Sequence, residues 1–108
     1  MLKRLTKQNS KVFKSSQELI QKLKPNMTVF VGGFGLCGVP ISFLKTLSKN
    51  KQINNLTVVS NDIGTSDEGL GLLLPNKQVK KMISSYIGNN KLFEKMYLNG
   101  DIEFELTP

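Results

Sequence analysis

The residues that concentrate chemistry stand at 32–38. Gly32-Gly33-Phe34-Gly35-Leu36-Cys37-Gly38 places four glycines in seven positions, directly after the apolar run Val29-Phe30-Val31. Glycine loses more backbone entropy on folding than any other residue, so such a cluster suits a sharp reversal or a close approach of backbone to a ligand. Pro40 then opens a helical pattern. A strand running through a glycine turn to a helix N-terminus is a ready site for an anionic group. A second group is Asn61-Asp62, just ahead of Gly64. An asparagine amide donates and accepts, whereas an ionised aspartate only accepts. Read alone after a strand, the pair is an Asx turn.

Composition removes many alternatives. The chain has 108 residues and no histidine, which excludes Ser-His and Cys-His nucleophiles and imidazole metal sites. No metal site is expected. Cys37 is the single cysteine, so no internal disulfide forms and a reducing, intracellular compartment fits. Without a histidine to activate it, Cys37 reads as a small apolar filler of the turn. Asp67-Glu68, after Thr65-Ser66, read as loop or cap residues. Lys91, Glu94 and Lys95 read as surface pairs. No apolar run approaches the roughly 20 residues of a membrane span, so no membrane partner is expected.

The net charge is +7, which first suggests nucleic acid. Its distribution argues otherwise. Lys3, Arg4, Lys7, Lys11 and Lys14 precede the first acid, Glu18, and carry five of the seven charges. The later cluster Lys77, Lys80 and Lys81 has no interleaved aromatic residues on which bases could stack, and no nucleic acid is expected. The basic, acid-free start resembles a mitochondrial transit segment. Two readings of residues 1–10 stay open, a transit segment or a solvated basic tail.

The elements that must position these groups follow from periodicity. Lys11–Lys14 is a short edge strand or a lead-in. Ser15-Ser16-Gln17-Glu18 has capping-box spacing, and Leu19, Ile20 and Leu23 predict a helix of about two turns before Pro25. Met27–Val31 reads as a strand buried on both faces, as in a parallel sheet. Pro40 fits the first position of a helix carrying Ile41, Phe43, Leu44 and Leu47. Leu56–Ser60 is a second strand, Leu70–Leu74 an apolar cluster, and Val79–Tyr86 holds a third strand around Met82 and Ile83. Asn89 or Asn90 caps a helix bearing Leu92, Phe93, Met96 and Tyr97, which Gly100 ends. Ile102, Phe104 and Leu106 alternate with Glu103 and Glu105 as a half-exposed strand. Met82, Phe93 and Met96 are expected in the core.

Strands alternate with helices, so the fold class is α/β: a mostly parallel sheet with flanking helices and right-handed crossovers. Ligands bind such sheets beyond the C-terminal strand ends, where both glycine turns lie. Gly33-Phe34-Gly35-Leu36-Cys37-Gly38, with Asp62 24 residues past Gly38, also matches the dinucleotide fingerprint. Pro40 counts against it, because in that fingerprint the helix is already under way across the later glycines, and a proline inside a helix costs about 3 kcal/mol. The chain stops at Thr107-Pro108 straight after a strand, which reads as a fragment of an incomplete sheet.

Val31 to Pro40, as quoted, resembles the glycine-rich signature of the family I coenzyme A transferases. Leu56-Thr57-Val58-Val59-Ser60-Asn61, Gly69-Leu70-Gly71-Leu72-Leu73-Leu74, Met82-Ile83-Ser84-Ser85-Tyr86-Ile87-Gly88 and Glu105-Leu106-Thr107-Pro108 are similar to the 3-oxoacid branch of the same family. The resemblance covers residues 11–108, as the N-terminal portion of the family's A domain. It implies a CoA transferase-like, Rossmann-like fold. It also implies transfer of CoA from succinyl-CoA to a 3-oxo acid such as acetoacetate, with the CoA thioester as substrate and no cofactor. Acetate or another short acid is the alternative acceptor, and a non-catalytic nucleotide-binding fragment is the alternative outside the family's chemistry. The family's nucleophilic glutamate lies in the B half, so Glu18, Glu68, Glu94, Glu103 and Glu105 are not its counterparts. The expected partners are the B half and further copies of the full protein, and the expected location is the mitochondrial matrix or, alternatively, the cytoplasm. By the same resemblance, Gly32, Gly33, Phe34, Gly35 and Gly38 face CoA, and Asn61 and Asp62 support the active site, where an aspartate replaces the second asparagine of the family's pair.

Overall fold

The structure is a computed structural model that describes residues 11–88 and 90–108. The basic segment 1–10, read as a transit segment or tail, and Asn89, one of the two proposed caps, lie outside the described residues.

Four strands form one sheet: β1 (Thr28–Phe30), β2 (Leu56–Val59), β3 (Val79–Ser84) and β4 (Glu103–Leu106). All three pairings are parallel, and the order across the sheet is the order along the chain. The α/β class with a parallel sheet is therefore the observed architecture. Helix α1 (Ser16–Ile20) precedes β1, α2 (Ile41–Lys49) joins β1 to β2, a 3₁₀ turn (Gly69–Leu73) lies between β2 and β3, and α3 (Lys91–Leu98) leads to β4.

Local signals explain the element ends. Ser15 Oγ accepts the Glu18 N–H at 3.1 Å, as the capping box requires, but the Glu18 carboxylate reaches back to the Lys14 N–H at 3.3 Å. Lys11–Lys14 is the lead-in and not a strand. The first helix is shorter than two turns, and Leu23 follows it in a turn closed by its N–H to Ile20 O. Pro40 stands one position earlier than expected, outside α2. Its ψ of 77° and the Ile41 N–H to Val39 carbonyl bond at 2.8 Å form an inverse γ-turn, so the helix begins at Ile41. At α3, Asn90 Oδ1 caps the Phe93 N–H at 2.9 Å. Gly100, at φ +78°, and Asp101 close the helix by bonds to Tyr97 O and Met96 O, which is a Schellman motif.

Register decides which residues meet. Val29, Val58, Met82 and Phe104 are consecutive partners across the sheet, so their side chains share one face. Val58 and Met82 are buried, and the core closes over them with Leu44 and Leu47 from α2, Leu73 and Leu74 from the 3₁₀ turn, and Phe93 and Met96 from α3. The Phe93 ring stands edge-on to Phe104 with centroids 5.7 Å apart. Met82, Phe93 and Met96 are core residues, as their spacing predicts. The opposite face carries Thr28, Thr57, Lys81 and Glu103 in one row and Phe30, Val59, Ile83 and Glu105 in the next. None of these eight is buried, and Phe30 is 79% exposed. The expectation that β1 is buried on both faces is thus corrected: among the described residues β1 pairs only with β2, and its Val29 side turns toward the core.

One buried polar side chain ties the layers together. Gln78 is fully buried, and its Nε2 donates to the carbonyls of Leu47 (2.8 Å), Ile53 (3.1 Å) and Asn50 (3.2 Å). Its two hydrogens are shared among these three carbonyls at and beyond the end of α2, where intrahelical partners run out. Leu47 and Asn50 also accept the Asn50 and Ile53 N–H groups, so the Ile53 carbonyl is the one that depends on Gln78.

Candidate active site

Because the strands are parallel, the segments after β1, β2 and β3 all emerge at one edge of the sheet. The glycine loop forms a miniature hairpin there: Phe34 and Cys37 exchange both backbone hydrogen bonds, at 2.8 and 2.9 Å. Gly35, at φ +62°, takes the first central position, which a side chain would strain. Cys37 is exposed on this hairpin, which corrects its reading as turn filler, since a two-residue hairpin encloses nothing to fill.

After β2, Asp62 Oδ1 accepts the Gly64 N–H at 3.0 Å. This is the Asx turn that the residues alone suggest. After β3, the strand ends at Ser84, and the Ser84 hydroxyl donates to the Tyr86 carbonyl at 3.1 Å. The two loops are joined directly. Asn61 Nδ2 donates to Ser85 Oγ and Ser85 Oγ donates to the Asn61 carbonyl, both at 3.2 Å, and the Tyr86 N–H reaches the same carbonyl at 3.2 Å.

A cavity of about 160 Å³ opens where the three loops meet, lined by Gly35, Leu36, Asp62, Gly64, Tyr86 and Gly88 among others. Beside it lies a recess of about 400 Å³ bounded by Phe34, Gly35, Asn61, Asp62 and Tyr86. Asp62 is the only ionisable carboxylate among these described lining residues, and Asn61 supplies an amide. Among the described residues, the Thr65 hydroxyl and the Tyr86 phenol are the other polar side chains on these walls, beside Phe34, Leu36 and Ile87. The recess sets two exposed aromatic rings, Phe34 and Tyr86, beside the Asn61 amide and the Asp62 carboxyl group.

The seven sequence-predicted site residues divide. Phe34, Gly35, Asn61 and Asp62 meet at the recess. Gly32 faces a separate groove with Leu19, Phe30 and Phe43. Gly33 and Gly38 line neither cavity. They shape the loop: a Cβ on Gly33 would come within 2.6 Å of Val39 Cγ2, and both have positive φ. Ser85 and Tyr86 are not among the site residues of the sequence reading, which gives the segment Val79–Tyr86 only as holding a strand around Met82 and Ile83. Their signal is positional, because they follow β3 as Asn61 follows β2. Asp67 and Glu68 lie on exposed loop backbone, as expected: Thr65 and Glu68 pair across a tight turn, and Asp67 Oδ1 accepts from Thr65 Oγ1 at 3.3 Å. Glu68 precedes the 3₁₀ turn, where Gly71 is obligatory because a Cβ would strike the Thr65 carbonyl.

Fold and site together define an α/β protein with a recess over the C-terminal ends of a parallel sheet. A model of the family "Coenzyme A transferase" matches residues 13–108. A Bacillus subtilis protein, named as one of the subunits of a probable succinyl-CoA:3-ketoacid coenzyme A transferase, is 49% identical over 98 residues, covering 91% of this chain and 41% of its own length. A Helicobacter pylori (strain ATCC 700392 / 26695) protein, named as the same component of a succinyl-CoA:3-ketoacid coenzyme A transferase, is 50% identical over 99 residues, 92% of this chain and 42% of its own. A mouse protein named succinyl-CoA:3-ketoacid coenzyme A transferase 2B, mitochondrial, is 46% identical over 89 residues, 82% of this chain and 17% of its own. This chain belongs to the coenzyme A transferase family. It spans less than half the length of the curated relatives it matches. Among the described residues, no helix is long and apolar enough to cross a membrane.

Proposed function

We propose that this chain forms part of a transferase that moves coenzyme A from succinyl-CoA to a 3-oxo acid such as acetoacetate, in ketone-body utilisation. The observation that carries the reading is the meeting of Asn61 and Asp62 with Phe34 and Tyr86 at the strand ends, in a chain of this family. The names of the bacterial and mouse relatives support the choice of substrates. The nucleophilic glutamate comes from the B half, in the same polypeptide or in a separate one, and residues 1–108 alone are expected to transfer nothing.

In this reading the recess holds the acyl end of the thioester. The Asn61 amide donates to the carbonyl oxygen as negative charge develops there, where a fixed donor is most effective. Asp62 Oδ1, engaged with the Gly64 N–H, holds the loop as an acceptor. Gly35 lets the hairpin backbone come close to the substrate. The relative from mouse is named mitochondrial, which supports the matrix as the site of action, with the cytoplasm as the alternative.

The test is the complete protein, assayed for acetoacetyl-CoA formed from succinyl-CoA and acetoacetate. Asn61→Ala should lower kcat by about 10²–10³, the usual loss on removing one oxyanion donor. Turnover with acetate in place of acetoacetate would move the assignment to a short-acid transferase. Micromolar NADH or ATP binding without CoA binding would replace it with a nucleotide-binding module.

A further inference from the structure

Ser85 has no assigned role, and its bonds suit a specific one. Its hydroxyl carries a single hydrogen. That hydrogen goes to the Asn61 carbonyl, while its oxygen accepts from Asn61 Nδ2, both at 3.2 Å. The two contacts close a ring between a backbone carbonyl and the side chain of the same residue. Turning the amide over would set Asn61 Oδ1 against Ser85 Oγ, and the hydroxyl could meet it only by giving up its bond to the Asn61 carbonyl, which the Tyr86 N–H alone would then hold. The Ser85 hydroxyl therefore favours the orientation in which both of its bonds are made. An amide is planar, so fixing one N–H also fixes the direction of the second N–H and of Oδ1. Asn61 borders the recess shared with Phe34, Gly35, Asp62 and Tyr86, and the remaining polar atoms of its amide are the ones left for a ligand.

We infer that Ser85 is a positioning residue that holds the Asn61 amide in a single orientation at the recess, with a donor left for the substrate carbonyl. The catalytic consequence rests on the proposed CoA transfer; the orientation does not. Preorganised donors accelerate a reaction because they need not turn during it. Ser85 is exposed, so water replaces part of its hold when it is removed, and the effect is smaller than deletion of Asn61 itself.

The experiment compares Ser85→Ala and Ser85→Thr in the complete protein, by steady-state kinetics with succinyl-CoA and acetoacetate and by a crystal structure of each variant. Ser85→Ala should lower kcat about tenfold with KM within about twofold, and Ser85→Thr, which keeps the hydroxyl, should restore kcat. In the Ser85→Ala crystal the Asn61 amide should leave its place. A kcat for Ser85→Ala within twofold of the wild type, or a threonine variant as impaired as the alanine one, overturns the inference. If the wild-type protein transfers no CoA, the proposed function has failed and the crystals decide: an unmoved Asn61 amide in Ser85→Ala overturns the positioning role, and a displaced one upholds it. Should Ser85→Ala not fold, Ser85→Cys, nearly isosteric with a weaker donor and acceptor, takes its place under the same outcomes.

Discussion

The two faces of the sheet are made from the same strands and behave differently. On one, Val58 and Met82 are sealed beneath α2, α3 and the 3₁₀ turn. On the other, Phe30 stands 79% exposed beside half-buried Val59 and Ile83, and Lys81 meets Glu105 at 3.0 Å in partial solvent. Parallel sheets are ordinarily covered on both sides. The difference shows that alternation along a strand tells which residues share a side, while a tertiary neighbour decides whether that side is dry. It also separates stability, concentrated under the helices, from the proposed ligand contact at the strand ends.

Three substitutions break or sharpen the contrast. Phe93→Ala empties the centre of the covered side, removing a fully buried ring and its edge contact with Phe104. It should cost about 3–5 kcal/mol in denaturant unfolding; a loss below about 1 kcal/mol would mean that α3 is not part of the core. Gln78→Leu keeps the volume but leaves the Ile53 carbonyl without its donor and takes a second donor from the Leu47 and Asn50 carbonyls, which keep the Asn50 and Ile53 N–H groups. Unpaired buried acceptors cost about 1–3 kcal/mol, and hydrogen exchange should rise first at the end of α2. Phe30→Ser alters the open side and should change stability by no more than about 0.5 kcal/mol. A large loss there would show that the open face is packed against something in solution.

How much of this was legible depended on the range of the interaction. The capping serine at 15, the asparagine cap at 90 and the Schellman glycine at 100 act within a few residues, and each stands in the sequence as it does in the structure. So do the four strand cores; Ile102 is buried and Phe104 half-buried as the alternation predicts, but Leu106 stands 62% exposed. The misreadings came from longer range. Val29-Phe30-Val31 has the composition of a central strand, but its position at the sheet edge is set by the pairing order. Pro40 carries the right φ for a helix start, yet the γ-turn that follows the hairpin delays the helix by one residue. The residue type of Cys37 suggests filler, whereas the hairpin geometry turns it outward. Gln78 and Ser85 act on partners 24–31 positions away, and nothing in their neighbours signals those bonds. Of the site, Phe34, Gly35, Asn61 and Asp62 share a recess because parallel strands deliver successive loops to one edge. Tyr86 and Ser85 join them only once the end of β3 is fixed at Ser84.

The sheet order repeats the chain order, β1-β2-β3-β4, and this bears on synthesis. Each strand, as it leaves the ribosome, meets the strand it will pair with already present, and no gap between finished strands waits for a later one. Domains generally assemble from the N-terminus during translation. Here the growing edge is always the newest strand, and nascent chains stalled after β2, β3 and β4 should gain protease resistance in even steps.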